Sequence, residues 1–297
     1  MKKHNFSGAC ILAFCLLMSL LIIMALSSGC GSPITPDDYY SSQIHYSSRP
    51  YVFDHFTWQA NALLELAENS LHNRRGDAKE DVLIERVEKV LTENGIKVFP
   101  AVRFRTEQPP YLLVVSFRDR IVYYDRILLS QEMTISEAEV IESSIDALGL
   151  SSLVIELGGF AGTYPPIIAE SDNITFVIET VVEEWLHQYL AFKPLGFLYL
   201  LDSVGMRQDP DIIIMNETLA GIVSREVGRI VYYKYYMSNG GTISKSDTQH
   251  GQFDFDQEMR KTRCQVDYLL ERGDVIGAEN YMELRRQMFV SMGYQIR

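Results

Sequence analysis

Residues 181–190 set Glu183, Glu184 and His187 into a run that is otherwise apolar: Val181, Val182, Trp185, Leu186, Tyr189 and Leu190. The pattern reads as a largely buried helix from Phe176 to Phe192. Three ionisable groups on a buried helix are costly unless they are paired or hold an ion. Positions four apart lie on one helix face, so Glu183 and His187 can offer a carboxylate oxygen and an imidazole nitrogen to one cation. Glu184 projects beside them, where a carboxylate can take a proton from water. Two ligands at i and i+4, with a base at i+1, is an arrangement suited to metal-assisted hydrolysis.

A third ligand comes from the stretch Met215-Asn216-Glu217-Thr218-Leu219-Ala220-Gly221. Glu217 stands between Ile212-Ile213-Ile214 and Leu219-Ala220-Gly221-Ile222-Val223, at the start of a helix expected over Asn216 to Tyr236. Packed antiparallel beside the first helix, it completes a three-ligand set and leaves a position for water or substrate. The competing reading of the same residues is a carboxylate–histidine hydrogen-bond network without metal.

These two segments resemble gluzincin metallopeptidases, and in particular a group of bacterial lipoproteins described as predicted aminopeptidases. That group shows His-Glu-x-x-His-Gln and then Asn-Glu-x-x-Ala. Here Glu184, His187 and Gln188 match the first segment, and Asn216, Glu217 and Ala220 match the second. The resemblance covers roughly residues 150–240. It implies ligand roles for His187 and Glu217, a general-base role for Glu184, and aminopeptidase-like action on a peptide substrate.

Glu183 stands where the group has its first histidine. Two carboxylates and one imidazole bring two negative charges to the ion, which weakens its Lewis acidity. The change also tilts the site from Zn²⁺ toward harder ions such as Mn²⁺ or Ca²⁺, although carboxylate is an acceptable zinc ligand.

Gly158-Gly159 follows a strand expected over Ser152 to Leu157. The resemblance implies an edge strand there that pairs with substrate, small residues allowing close approach; the alternative is an ordinary glycine turn before Pro165. A tyrosine often assists the oxyanion in gluzincins, and Tyr232, Tyr233, Tyr235, Tyr236, Tyr281 and Tyr294 are candidates. Asp202 is a candidate to hold the free imidazole N–H. Arg225 reads as a salt-bridged neighbour rather than a catalytic group.

The first 29 residues read as a signal peptide or membrane anchor. Lys2 and Lys3 precede an 18-residue apolar run from Ala9 to Leu26, closed by Ser27-Ser28-Gly29-Cys30. Lipidation of Cys30 and retention as an uncleaved N-terminal helix are the two alternatives. Either places the body on the extracytoplasmic face of the cell membrane. Loss of Lys2 and Lys3 moves the formal charge from −12 to −14. An acidic body without a basic cluster argues against nucleic acid as a partner. Cys264 alone remains beyond Cys30, so an apolar core rather than an internal disulfide must hold the fold.

Residues 30–50, rich in Ser, Tyr and Pro, read as a tether. Residues 51–297 read as one α+β domain of zincin type, with a small β lobe at about residues 97–170 packed on a helical lobe carrying the metal helices. The expected function is hydrolysis of peptide bonds by metal-activated water. The rival is a catalytically inactive zincin-fold lipoprotein with a binding or assembly role.

Overall fold

The computed structural model describes residues 36–71, 78–203, 206, 209–237, 253–294 and 296. The export segment, Cys30 and the first residues of the expected tether lie outside them. Helix α1 (Pro36–Ser48) leads through a 3-10 turn (Arg49–Tyr51) to α2 (His55–Leu71) and α3 (Ala78–Glu93). Strands β1 (Arg105–Thr106), β2 (Tyr111–Phe117) and β3 (Tyr123–Leu129) follow, then α4 (Ile135–Asp146). Next come β4 (Leu150–Ile155), β5 (Gly159–Phe160) and β6 (Ile167–Ile168). The described residues then form α5 (Ile174–Leu190), α6 (Pro194–Ser203), α7 (Pro210–Tyr235), α8 (Phe255–Glu271) and α9 (Val275–Ser291). The fold is mixed α+β. Among the described residues no helix is long and apolar enough to cross a membrane.

These elements make two compact units. One contains α2, α3 and α5–α7 with the sheet β1-β6-β5, in which β1 runs parallel to β6 and β5 antiparallel to it. Its core joins Leu83, Val87 and Leu91 of α3 to Val181, Trp185 and Leu186 of α5 and to Ala220, Val227 and Val231 of α7. Helix α5 starts where the Asn173 side chain accepts the N–H groups of Thr175 and Phe176. Trp185, fully buried, donates its indole N–H to the Pro100 carbonyl at 2.8 Å. Gly228 lets α7 come close to α5, since a Cβ there would lie 2.8 Å from Glu179 Cγ.

The other unit contains α1, the sheet β3-β2-β4, α4 and the hairpin α8–α9. Strands β2 and β4 are antiparallel, with Leu112 opposite Ile155 and Phe117 opposite Leu150. Thr134 and Glu137 form a reciprocal cap at the start of α4. Arg285 of α9 binds Glu258 of α8 at 2.6 Å.

Two expectations are corrected here. Residues 36–50 are not a spacer: α1 packs on α4 and β3, with Ile44 and Ser48 fully buried and the Tyr51 carbonyl accepting the Ser130 N–H. Ile44 and Ser48 are four apart on one face, and the Ser- and Tyr-rich remainder gave the stretch its linker-like composition. The strands of residues 97–170 also do not form one lobe. Strands β2–β4 build their own sheet, whereas β1, β5 and β6 belong with the helices. Strands of two residues are set by backbone pairing, which leaves no periodic pattern to read.

Candidate metal centre

Helices α5 and α7 form the most extensive helix pair among the described residues. One turn of each meets the other at the ionisable residues. Glu183, His187 and Glu217 come together with one ligand atom from each within 4.8 Å of the others, a group able to hold a metal ion. His187 Nε2 lies 3.7 Å from Glu217 Oε2. On the far side of the ring, the Asn216 amide lies 2.9 Å from Nδ1. With Nδ2 facing the ring, Asn216 Oδ1 is buried with no hydrogen-bond partner among the described residues. In the other amide orientation Oδ1 accepts Nδ1–H and the lone pair stays on Nε2, the tautomer a cation requires, while Nδ2 takes the buried position that Oδ1 held. Asn216 thus takes the position for which Asp202 was the candidate. Asp202 is buried and accepts the Asp209 N–H at 3.2 Å, at the entry to α7.

The electrostatics of the cluster favour a cation. Burial, then the charges of Glu217 and Glu179, push the Glu183 carboxyl above its ordinary range; Arg225 opposes them. Burial, Glu183 and Glu217 push Glu184 up to about 8, against the Ala161 N–H that it accepts. Burial pushes the His187 imidazole down, and Glu217 opposes it. Glu183, half-buried, and Glu217, exposed, are mutually repelling carboxyls whose charge a divalent ion would offset. Two carboxylates and an imidazole also match the ligand types of such ions.

Glu184 and Gln188 form a second pair four apart, one residue along from the first. Gln188 donates its amide to the carbonyls of Thr163 at 2.6 Å and Ala161 at 3.3 Å. The Glu184 carboxyl rests on Gly159, where an added Cβ would lie 2.4 Å from Oε1 and 2.8 Å from Cδ. Glu184 is half-buried, with its carboxyl against β5. Strand β5 is an edge of its sheet among the described residues. Gly158 differs: its carbonyl accepts the Ala169 N–H at 2.9 Å, and an added Cβ would lie 3.0 Å from the Phe176 ring. Of the two glycines, Gly159 is the one that touches the cluster. Gly159→Ala is expected to displace Glu184 and cost about 1–3 kcal/mol, the usual cost of overpacking. Thermal denaturation checks it, and an unchanged Tm would refute the contact.

Tyr199, which the sequence did not single out, reaches the cluster from α6. Its hydroxyl donates to Glu217 Oε1 at 2.7 Å, and its ring stacks on His187 with centroids 5.6 Å apart and planes at 20°. Of the tyrosines considered earlier, Tyr232, Tyr235 and Tyr236 pack against the core beside α3, and Tyr233 is exposed. Tyr281 and Tyr294 lie in the other unit. Arg225 is a charge neighbour of Glu183, as expected of a supporting group. Comparison of the chain with protein-family models, curated proteins and solved structures found no match.

Proposed function

We propose that this protein is a metal-dependent peptidase of gluzincin type, with a zincin-like arrangement of α5, α7 and the edge strand β5. The observation that carries the reading is the convergence of Glu183, His187 and Glu217 from two helices. Zn²⁺, or another divalent cation such as Mn²⁺, is the proposed cofactor, and a peptide the substrate, with aminopeptidase-like action. When bound, such an ion supplies Lewis acidity toward water and a carbonyl oxygen. Glu183, His187 and Glu217 would hold it, with Asn216 fixing the imidazole. Glu184 would accept a proton on its carboxylate and return it to the leaving amine, its position set by Gly159 and the Ala161 N–H. The outer edge of β5 would align the substrate backbone beside that carboxylate. The body is proposed to act on the extracytoplasmic face of the cell membrane, anchored through lipidated Cys30 or an N-terminal helix.

A second reading, a catalytically inactive zincin-fold lipoprotein with a binding role, is favoured by one observation, the carboxylate at position 183. Metal analysis tests the common premise. The purified protein is expected to carry about one ion per chain and to gain about 2.7 kcal/mol of stability at an ion concentration 100 times Kd. His187→Ala should lose both. A wild-type content below roughly 0.2 ion per chain, with no thermal shift on adding Zn²⁺ or Mn²⁺, would remove the metal site and the peptidase with it.

A further inference from the structure

We propose that Tyr199 sets which cation the site accepts, by holding Glu217 to a single ligand oxygen. The proposal rests on the metal-site reading above and names a property of that site. The two oxygens of Glu217 face different partners. Oε2 lies 3.7 Å from His187 Nε2, on the side where the ligand atoms converge. Oε1 accepts the Tyr199 hydroxyl at 2.7 Å. A carboxylate oxygen engaged by a phenol at that distance is drawn away from an ion shared with His187, so Glu217 ligates through Oε2 alone.

The stack of the Tyr199 ring on His187 fixes the same hydroxyl relative to the imidazole. One side chain therefore orients two of the three ligands, and both contacts come from α6.

The number of ligand oxygens separates the candidate ions. Zn²⁺ is satisfied by three protein atoms and one further ligand. Ca²⁺ takes six to eight oxygens and often a carboxylate bound through both of its atoms. Glu183 and Glu217 give the site an oxygen-rich, doubly charged donor set that by charge suits a hard ion. Removing one oxygen from Glu217 opposes that tendency and favours the smaller coordination shell. Tyr199→Phe keeps the ring and its stack, deletes the hydroxyl and frees Oε1 to join the ion.

The test is calorimetric titration of the full-length protein and its Tyr199→Phe variant with Zn²⁺ and with Ca²⁺, each alone. Loss of a group that orients a ligand typically weakens metal affinity by about 10–100-fold. That loss is expected for Zn²⁺, while Ca²⁺ affinity holds or rises, so the Zn²⁺ preference falls by at least about tenfold. The ratio of the two affinities is the readout because misfolded protein lowers both alike. A preference that falls by less overturns the role of Tyr199 and leaves the metal site standing. A wild-type protein that binds neither ion overturns both.

Discussion

Replacing Glu184 with glutamine is expected to lower peptide hydrolysis by about 10²–10⁴-fold, the usual contribution of a positioned acid–base group. The substitution is close to isosteric. A glutamine Oε1 still accepts the Ala161 N–H and still fits against Gly159, so β5 and α5 keep their relation. What is lost is the capacity to take up a proton. With the carboxyl pushed up to about 8, glutamine matches its neutral form at pH 7, so stability should hold. The measurement is kcat/KM of the metal-loaded protein on a peptide panel, alongside its metal content and Tm. Equal rates for wild type and variant would show that Glu184 is a structural acid.

Glu183→His is expected to act in the opposite direction. It replaces one of two anionic ligands with a neutral one, four residues before His187 on the same helix face. The ion then keeps more of its charge for water and carbonyl oxygen, and Glu184 loses a repelling neighbour. Hydrolysis should rise by at least about tenfold, equivalent to ~1.4 kcal/mol of barrier. The softer donor set should also move preference toward Zn²⁺ over Mn²⁺. Activity appearing only in the variant identifies a decayed enzyme. A variant that binds Zn²⁺ and hydrolyses no faster than wild type would show that the carboxylate at 183 is not what limits the site.

Helix α5 was readable because its ionisable residues sit in an otherwise apolar run. The run expected at Phe176 to Phe192 is α5, Ile174–Leu190. Helix α7 begins earlier than expected because Pro210 opens it, a first-turn position where the absent N–H costs nothing. Helix α6 was missed for a related reason. Lys193-Pro194-Leu195-Gly196 reads as a terminator of α5, and Pro194 does end it, but the same proline starts the next helix.

The site divides along the same line. Glu183 and His187 were legible because helical spacing is fixed by backbone geometry, and Glu217 because its Asn-Glu-x-x-Ala segment stood in a second apolar run. Asn216 was visible as a motif residue but not as the partner of Nδ1, since that depends on the rotation of α7 against α5. Tyr199 left no signal, because its contact depends on α6, an element that the pattern hid. The contact of Gly159 with Glu184 likewise needed the third dimension, although both residues stood out singly.

The two residue pairs on α5, Glu183 with His187 and Glu184 with Gln188, have a consequence for engineering. They repeat one spacing, offset by a single residue and therefore by about 100° around one rigid rod. The cation side and the strand side are thus held in register by covalent geometry rather than by a loop that could drift. Each pair can be rewritten without shifting the backbone of the other, so the carboxylate–histidine cluster and the contact with β5 can be altered separately on the same helix.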